Sequence, residues 1–296
     1  MRNPVMPASG TYDRFVEPDE VPAGRLGAVV TKSVTLRPQA GNPPIRVAET
    51  SSGMLNAIGI PSVGLDAFLS DVLPRYREVG TVVIVSVQAY SAEECAEMVG
   101  RLGEEPGVDA IELNLSCPNL THGVVIAQSA ELSGELVSAA RRSCRLPIIA
   151  KLSPNVTSVV EIARAVEEGG ADALCLINTL KGMAIDVETR QALLGNVSGG
   201  LSGPAIKPVA LCMVWECYEE VNLPIIGAGG VSTVQDAIEF LLAGARAVQV
   251  GTATFREPRA LKRVIEGLRE YLEKEEIEDV NELVGWCHGE RYVVGS

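Results

Sequence analysis

Eight short apolar runs, separated by helical stretches, constrain the fold of this chain more than any other feature of its sequence. The runs cover residues 3–9, 27–33, 81–87, 110–116, 147–153, 173–179, 224–230 and 247–252. Helical patterns lie between most of them, at residues 91–103, 130–143, 158–170, 204–220 and 233–244. Alternating strands and helices favour a parallel sheet, and eight such units are the number in a TIM (β/α)8 barrel. We predict a single α/β domain of this fold over residues 1–296.

A doubly wound open sheet is the main structural alternative. That fold would normally place a G-x-G-x-x-G turn after its first strand, whereas the first run here ends in ASGTYD. No linker, charge block or low-complexity segment divides the sequence. These observations favour the barrel over the open sheet.

The composition argues against two classes of partner. The chain has 25 Lys and Arg against 38 Asp and Glu, a formal net charge of −13, and a nucleic-acid groove needs concentrated positive charge. No apolar stretch approaches the roughly 18 residues of a membrane span, and the opening MRNPVMPASG has no apolar signal region. We expect a cytoplasmic protein that binds neither nucleic acid nor membrane.

The seven cysteines form no disulfide or metal framework. Their number is odd and their spacing irregular, which is typical of reduced thiols, so no metal site is predicted. Five are expected to be buried as small apolar side chains: Cys95, Cys144, Cys175, Cys212 and Cys217. Cys117 differs, because it follows the run AIELNLS and precedes Pro118 in a polar turn.

Polar residues and glycines end the eight apolar runs. In a TIM barrel the carboxyl ends of all strands open onto one face, so these residues should meet at one mouth, with Cys117 just above it. They are Ser9, Lys32, Ser86, Asn114, Lys151, Asn178, Gly229, Gly230, Gly251 and Thr252.

Two kinds of residue at this mouth suggest an anionic ligand. Lys32 and Lys151 directly follow apolar runs, and a buried ammonium needs a partner; the partner is either a carboxylate of the protein or a bound anion or electron-rich ring. The glycine turns after the last two runs could cradle a phosphate with their backbone N–H groups, or they could simply be tight packing turns.

Eight motifs in a fixed order resemble one enzyme family. They are NPVMPASG, VVTKSVT, MLNAIGI, ELNLSCPN, INTLKGMAID, GGLSGPAIKP, IIGAGGV and QVGTA. Together they resemble the class 1 dihydroorotate dehydrogenases, and the loop NTLKGMAIDVETR is most similar to the NAD-linked subclass. The resemblance implies a catalytic subunit that oxidises dihydroorotate to orotate in pyrimidine synthesis, with one FMN per chain and NAD⁺ as the final acceptor.

The resemblance also implies a role for individual residues. Cys117 would be the base that removes a proton from C5 while the C6 hydride goes to FMN, and Lys32 would lie between flavin and substrate. The implied substrate-binding residues are Lys32, Asn56, Ala57, Ile58, Gly59, Ile60, Asn114, Asn119, Asn178 and Thr179. The implied FMN-binding residues are Ser9, Lys32, Ser33, Ser86, Asn114, Lys151, Ile177, Gly203, Gly229, Gly230, Gly251 and Thr252. At Ser86 the family usually has asparagine.

The NAD-linked subclass implies a partner subunit. The resemblance predicts a homodimer bound to two iron–sulfur subunits that carry FAD and a [2Fe–2S] cluster, which gives a heterotetramer. The chain itself has neither a cysteine set for a cluster nor a dinucleotide-binding turn after its first strand.

Four other functions remain open at this point. The chain could be a fumarate-linked class 1 enzyme. It could be a related pyrimidine-reducing barrel or a tRNA dihydrouridine synthase, and its acidic charge argues against the latter. It could also be a flavin-free aldolase or isomerase in which Lys151 forms a Schiff base, or a non-catalytic binding barrel. The yellow colour of bound flavin, and its bleaching by dihydroorotate, would discriminate among these functions.

Overall fold

Eight parallel strands form a nearly closed barrel, so the predicted TIM fold is confirmed. The computed structural model describes residues 1–12, 21–116, 120–121 and 124–289. Around the sheet the barrel strands are β1 (Val5–Pro7), β16 (Ala245–Val250), β15 (Ile225–Ala228), β10 (Ala173–Leu176), β9 (Ile148–Lys151), β6 (Ala110–Asn114), β5 (Val82–Val87) and β2 (Ala28–Val30). Each strand overlaps one of the predicted apolar runs.

The barrel closes at a seam between β1 and β2. Within the described ranges, no strand ladder joins these two strands, but the Gly27 N–H donates to the Val5 carbonyl at 2.9 Å. A Cβ atom at Gly27 would lie 2.0 Å from the Asn3 carbonyl oxygen. Glycine is therefore required for the two strands to approach this closely.

Nine helices lie within the described ranges. They are α1 (Leu65–Ala67), α2 (Leu73–Tyr76), α3 (Ala92–Gly103), α4 (Ala130–Ser143), α5 (Val159–Glu168), α6 (Lys207–Glu220), α7 (Val234–Leu242), α8 (Ala253–Arg256) and α9 (Ala260–Lys274). Of these, α3, α4, α5 and α7 begin at a serine or threonine cap. A π-helical segment, Phe68–Val72, joins α1 to α2. The Ser91 hydroxyl accepts a hydrogen bond from the Glu94 N–H at 3.2 Å, and the Glu94 carboxylate accepts one from the Tyr90 N–H at 2.7 Å. The predicted start of α3 is thus confirmed.

The barrel interior changes from apolar to polar along the strands. Its apolar part is built mainly from small and branched side chains, together with Met6; they include Val30, Ile84, Ile149, Cys175 and Ala247. Because side chains alternate along a strand, the inward positions continue as Ser86 after Ile84, Lys151 after Ile149 and Gln249 after Ala247. A polar layer therefore lies above an apolar floor, toward the carboxyl ends of the strands.

A four-stranded antiparallel sheet, which we call the cap, is inserted after β2 and β10. Its strands, in order, are β11 (Leu180–Gly182), β14 (Gly199–Ser202), β4 (Gly53–Asn56) and β3 (Val47–Thr50). Two hairpins accompany it: β12 (Ile185–Asp186) with β13 (Gln191–Ala192), and β7 (Leu120–Thr121) with β8 (Val124–Val125). The cap carries chain segments over the barrel mouth.

One cysteine prediction is wrong. Cys95, Cys144, Cys175 and Cys217 are buried, but Cys212 is exposed on α6. The apolar residues of α6 surround most of the helix, so their pattern does not show which side faces the barrel; the structure buries Ala210, Val214 and Cys217. In the described part of the chain, no helix is both long and apolar enough to cross a membrane.

Candidate active site

Four polar residues predicted to bind substrate lie together at the barrel mouth. Asn178 donates from Nδ2 to the Asn114 Oδ1 at 3.1 Å, and the Thr179 N–H donates to the Asn178 Oδ1 at 2.7 Å. Asn56 on β4 of the cap donates to the Gly200 carbonyl at 3.3 Å. A Cβ at Gly200 would lie 2.0 Å from the Thr179 Oγ1, so the cap and the barrel are in contact here. Oriented amides can donate to and accept from a planar polar ring.

The loop after β4 is fixed by hydrogen bonds to its backbone. The Ala57 N–H donates to the Arg46 carbonyl at 2.8 Å, and the Gln39 Nε2 donates to the Gly59 carbonyl at 2.8 Å. Gly59 has φ +73° and the β-branched Ile60 has φ +50°, a backbone conformation that a branched residue rarely adopts. Ile58 lies between these fixed points, so the backbone of residues 57–60 is held in a defined conformation, and the contact of these residues with substrate stays a prediction.

Lys32 provides a cation at the mouth. Its side chain is exposed beyond the end of β2, and no hydrogen-bond acceptor for its Nζ occurs among the residues that the structure describes. Partial desolvation, and then the positive charge of Arg46, lower the pKa of the Lys32 ammonium. An anionic group bound beside Lys32 would relieve both effects.

Three serine hydroxyls form a chain beside Lys32. Ser9 and Ser33 are 3.2 Å apart between their Oγ atoms, and Ser33 and Ser86 are 3.0 Å apart. Ser86 is fully buried, so it stands behind Ser33, and its contact with FMN stays a prediction. Ile177 is likewise buried, and its N–H donates to the Ala228 carbonyl at 2.8 Å.

Three glycine-containing segments meet on the other side of the mouth and form a concave backbone surface, which we call the cradle. Gly203, Gly229 and Gly230 have φ values of +93°, +118° and +84°. A Cβ at Gly230 would lie 2.9 Å from the Gly203 carbonyl oxygen, and one at Gly203 would lie 3.5 Å from the Thr252 Cγ2. The Thr252 Oγ1 is 2.7 Å from the Ser202 Oγ.

Four backbone N–H groups of this cradle have no hydrogen-bond acceptor among the described residues. They belong to Gly229, Gly230, Gly251 and Thr252. Unpaired N–H groups are unfavourable unless a ligand or water satisfies them, and a concave group of them is an anion site. The residues present therefore fit the phosphate of FMN.

Lys151 has a protein partner that the sequence did not reveal. Its Nζ donates to the Gln249 Oε1 at 2.8 Å, and the Gln249 Nε2 donates to the Glu112 Oε2 at 2.7 Å. The Glu112 Oε1 lies 3.7 Å from the Lys151 Nζ. Burial alone would lower the pKa of the Lys151 ammonium, but the Glu112 carboxylate outweighs it and the pKa is raised.

Sequence reasoning missed both Glu112 and Gln249. It left a carboxylate of the protein open as the partner of Lys151 but did not identify it, because Glu112 is not a neighbour in sequence and comes from another strand, β6. The available signal was a polar residue in the middle of an apolar run, in AIELNLS and AVQVGT. The predicted contact of Lys151 with FMN stays a prediction.

Two predicted site residues, Cys117 and Asn119, lie outside the described residues. The chain that leads to Cys117 is nevertheless tied to the site, because the Ser116 N–H donates to the Asn114 Oδ1 at 3.2 Å. The described residues contain no group of three His, Cys, Asp or Glu side chains placed to hold a metal ion.

Comparisons with known proteins agree on one family. The dihydroorotate dehydrogenase family profile matches residues 1–272. A curated relative from Geotalea uraniireducens (strain Rf4), "Dihydroorotate dehydrogenase B (NAD(+)), catalytic subunit", is 51% identical over 287 residues, which are 96% of this chain and 94% of the relative. A relative with the same description from Desulforudis audaxviator (strain MP104C) is 50% identical over 97% of this chain and 94% of its own.

A solved structure extends the agreement to three dimensions. The crystal structure of DHODH from Eimeria tenella in complex with ferulenol superposes with a TM-score of 0.77 at 26% identity, and the match covers 96% of this chain and 85% of that one. Family profile, curated relatives and fold all match over most of the sequence, and the chain belongs to the dihydroorotate dehydrogenase family.

Proposed function

We propose that this chain is the catalytic subunit of an NAD-linked dihydroorotate dehydrogenase, which oxidises dihydroorotate to orotate in de novo pyrimidine synthesis. The observation that carries the proposal is a single mouth that holds both an amide cluster, Asn56, Asn114 and Asn178, and a phosphate cradle around Gly230. The curated relatives from Geotalea and Desulforudis, which match nearly the whole chain, are named as this enzyme.

The cofactor of the proposed reaction is FMN, one per chain. Its phosphate would bind the N–H groups of Gly230, Gly251 and Thr252, and the hydroxyls of Ser9 and Ser33, with Lys32, line the other side of the mouth. When bound, FMN supplies the acceptor for the hydride that leaves C6 of dihydroorotate. The protein contributes orientation and charge at that acceptor.

The chain's own residues perform the remaining chemistry. The oxidation turns the C5–C6 single bond into a double bond, so C5 must lose a proton as C6 loses a hydride. We assign the proton to the thiolate of Cys117, which directly follows Ser116 in sequence. The amides of Asn56, Asn114 and Asn178 hold the ring, and the Lys32 ammonium stabilises negative charge that develops in the site.

The surroundings of Lys151 argue against the aldolase alternative. A Schiff-base lysine must become a neutral amine before it attacks a carbonyl. Lys151 is buried and paired with Glu112, which raises its pKa and keeps it protonated. Lys151 is therefore suited to an electrostatic role, not to a nucleophilic one.

The partner that we propose is an iron–sulfur subunit with FAD and a [2Fe–2S] cluster, two copies of which would bind a homodimer of this chain. The name "catalytic subunit" of the relatives supports a partner. Exposed apolar side chains on and beside the cap also support protein contact at the end of the barrel that carries the site. They are Ile45, Val47, Met183, Ile185, Val187 and Val197.

Anaerobic reduction tests the proposal directly. Purified protein, reconstituted with FMN if needed, should be yellow and should bleach when dihydroorotate is added, with orotate as the product. A close control is dihydrouracil, which has the ring but lacks the carboxylate. A protein that cannot retain FMN, or whose flavin stays oxidised with dihydroorotate, would refute the proposed activity.

A further inference from the structure

A buried polar chain crosses the barrel interior beneath the candidate site. Gln249 on β16 reaches Lys151 on β9 and Glu112 on β6, strands that lie on the far side of the barrel in the strand order. The Gln249 amide uses both of its ends, with the oxygen on the Lys151 ammonium and the nitrogen on the Glu112 carboxylate. A cation and an anion are thus joined through one oriented amide.

The three side chains of this polar network are tightly enclosed. Glu112 is fully buried, Gln249 is 1% exposed and Lys151 is 6% exposed. A buried charge without a partner is strongly unfavourable, and removing one member of a buried pair leaves the other uncompensated. The ammonium and the carboxylate therefore depend on one another.

One carboxylate oxygen of this polar network has no hydrogen bond. The Glu112 Oε1 has no hydrogen-bond partner in the described part of the molecule, although the Lys151 Nζ is 3.7 Å away. A carboxylate oxygen that is buried and unpaired still contributes its negative charge to the interior. This negative charge attracts the ammonium of Lys151, the inward residue at the carboxyl end of β9.

The titratable groups that act on Lys151 are few. Among the described residues they are Glu112 on β6 and the Cys175 thiol on β10. Burial raises the pKa of Cys175 to about 12, so it stays a neutral thiol between pH 7 and 10. Glu112 is then the one group of the two that supplies negative charge near Lys151 in that range.

We propose that Glu112 and Gln249 are positioning residues that keep the Lys151 ammonium charged and fixed at the base of the flavin site. The inference rests on the proposed function for its link to flavin. Its electrostatic part concerns only this chain and can be tested without a cofactor. The charges of Glu112 and Lys151 sum to zero below the site, so Glu112 moderates the positive field that Lys151 presents to a bound flavin.

Stability of the flavin-free protein as a function of pH tests the electrostatic part. In the wild type the raised pKa means that Lys151 stabilises the fold below the ordinary lysine value, and this contribution is lost only as the pH rises through the higher folded value. In Glu112→Gln, burial without the carboxylate places the folded pKa below the ordinary value. At pH values between the lowered folded pKa of the variant and the ordinary lysine pKa, the unfolded variant binds one more proton than the folded variant. The stability of the variant therefore rises with pH in this range.

We expect Glu112→Gln to lower the melting temperature by about 10 °C at pH 7, and the gap to the wild type to narrow to about half by pH 10. Glu112→Gln with Lys151→Met should show no such narrowing, because the titrating group is gone. Cys175→Ala should keep the wild-type pH profile. A gap that stays constant with pH in the single variant would overturn the inference.

The reduction potential of bound FMN tests the link to the site. Glu112→Gln should raise the potential at pH 7, because one negative charge is removed while Lys151 is still charged, and the difference should vanish toward pH 10 as Lys151 becomes neutral. A purely structural role would not produce this pH dependence. An equal shift of the potential at both pH values would overturn the link. If the wild-type protein does not bind FMN at all, the proposed function is refuted, and the stability result alone decides the electrostatic part.

A folding failure is also informative. If Glu112→Gln yields no folded protein, adding Lys151→Met should restore it, because both members of the pair are then neutral. Recovery supports the pairing of Glu112 with Lys151. No recovery would show that the substitution harms the interior for another reason and would overturn the inference.

Discussion

At the scale of single residues, the alternation of side chains along the barrel strands decides which positions reach the site. Asn114 is four residues beyond Ala110 on β6, so it faces the same interior, and it accepts hydrogen bonds from Asn178 and from the Ser116 N–H. One amide thus connects the proposed substrate pocket to the chain that leads to Cys117. A change at Asn114 should therefore affect both ring binding and proton removal, whereas a change at Cys117 should affect proton removal alone.

Cys117→Ala tests the proposed base. We expect bound FMN to be retained and its reduction by dihydroorotate to slow by a factor of about 10² to 10⁴, the usual loss for a general base. The measurement is anaerobic stopped-flow absorbance of the flavin. Cys212→Ala, which removes an exposed thiol from α6, is the matched control and should reduce at the wild-type rate. Near-normal reduction by the Cys117 variant would exclude the thiol as the base.

Gly230→Ala tests the phosphate cradle. The added Cβ would lie 2.8 Å from the Lys207 Cβ and 2.9 Å from the Gly203 carbonyl oxygen, so the cradle must widen. We expect the dissociation constant of FMN to rise by at least about tenfold, which corresponds to about 1.4 kcal/mol, as measured by fluorescence titration.

Gly80→Ala separates this effect from backbone strain. Gly80 has a similar φ of +70°, but a Cβ there would have nothing within 4 Å. This variant should lose some stability, because a left-handed conformation disfavours alanine, and should bind FMN normally. Equal loss of FMN in both variants would argue that general destabilisation, and not the cradle, controls binding.

At the scale of elements, the barrel was predictable and the cap was not. The barrel strands are continuous apolar runs because both of their faces are buried, and helices such as α3 and α7 begin at serine or threonine caps. The cap strands are two-sided and partly exposed, as in GGLS of β14. Such segments pair only because the barrel brings them together, so their local sequence does not predict them.

The same limit applied to the candidate site. Motif order indicated Asn56, Asn114, Asn178 and the glycine turns, and the structure brings them to one mouth. Glu112 and Gln249 interrupt apolar runs and could have been noticed, but their joint contact with Lys151 depends on strands that are 137 residues apart in sequence. Contacts across a barrel depend on closure of the whole sheet, which periodicity within one strand does not encode.

The start of α7, which follows the glycine turn of the cradle, provides a prediction at this scale. Asp236 accepts from the Thr233 N–H at 2.8 Å and from the Lys207 Nζ at 2.8 Å. Burial would raise the pKa of this carboxyl, but Lys207 and the backbone N–H donors outweigh it, and the pKa lies below its ordinary value of 3.8. Asp236→Asn should therefore reduce the free energy of unfolding at pH 7 by about 1–2 kcal/mol.

The pH dependence of this loss follows from its sign. A depressed carboxyl pKa gives stability that is complete well above 3.8 and is lost as the pH falls through the lower folded value, so the gap between wild type and variant should close in acid. Urea unfolding at pH 7 and pH 3 measures it. Asp66→Asn, which removes the same charge from a mostly exposed ion pair with Arg101, should change stability by less than about 1 kcal/mol. A gap that does not depend on pH would contradict the role given to the charge.

At the scale of the whole molecule, the proposed enzyme should depend on a second subunit for its final acceptor. The isolated chain with FMN is expected to reduce artificial dyes with dihydroorotate and to show little NAD⁺ reduction, because the described residues offer no cluster site to carry electrons away. Steady-state assays with dye and with NAD⁺ distinguish the two acceptors. Rapid NAD⁺ or fumarate reduction by the chain alone would place it in another subclass.

The ladder between β1 and β16 also implies an order of events in folding. Met6 on β1 is opposite Gln249 on β16, so the first barrel strand in the sequence pairs with the last one. Contacts this distant in sequence form late, because a long loop must close first. Gln249 arrives with that same strand and only then joins Lys151 to Glu112. Barrel closure and the balancing of charge beneath the site are therefore one step of folding, and a nascent chain that stops before residue 245 has neither.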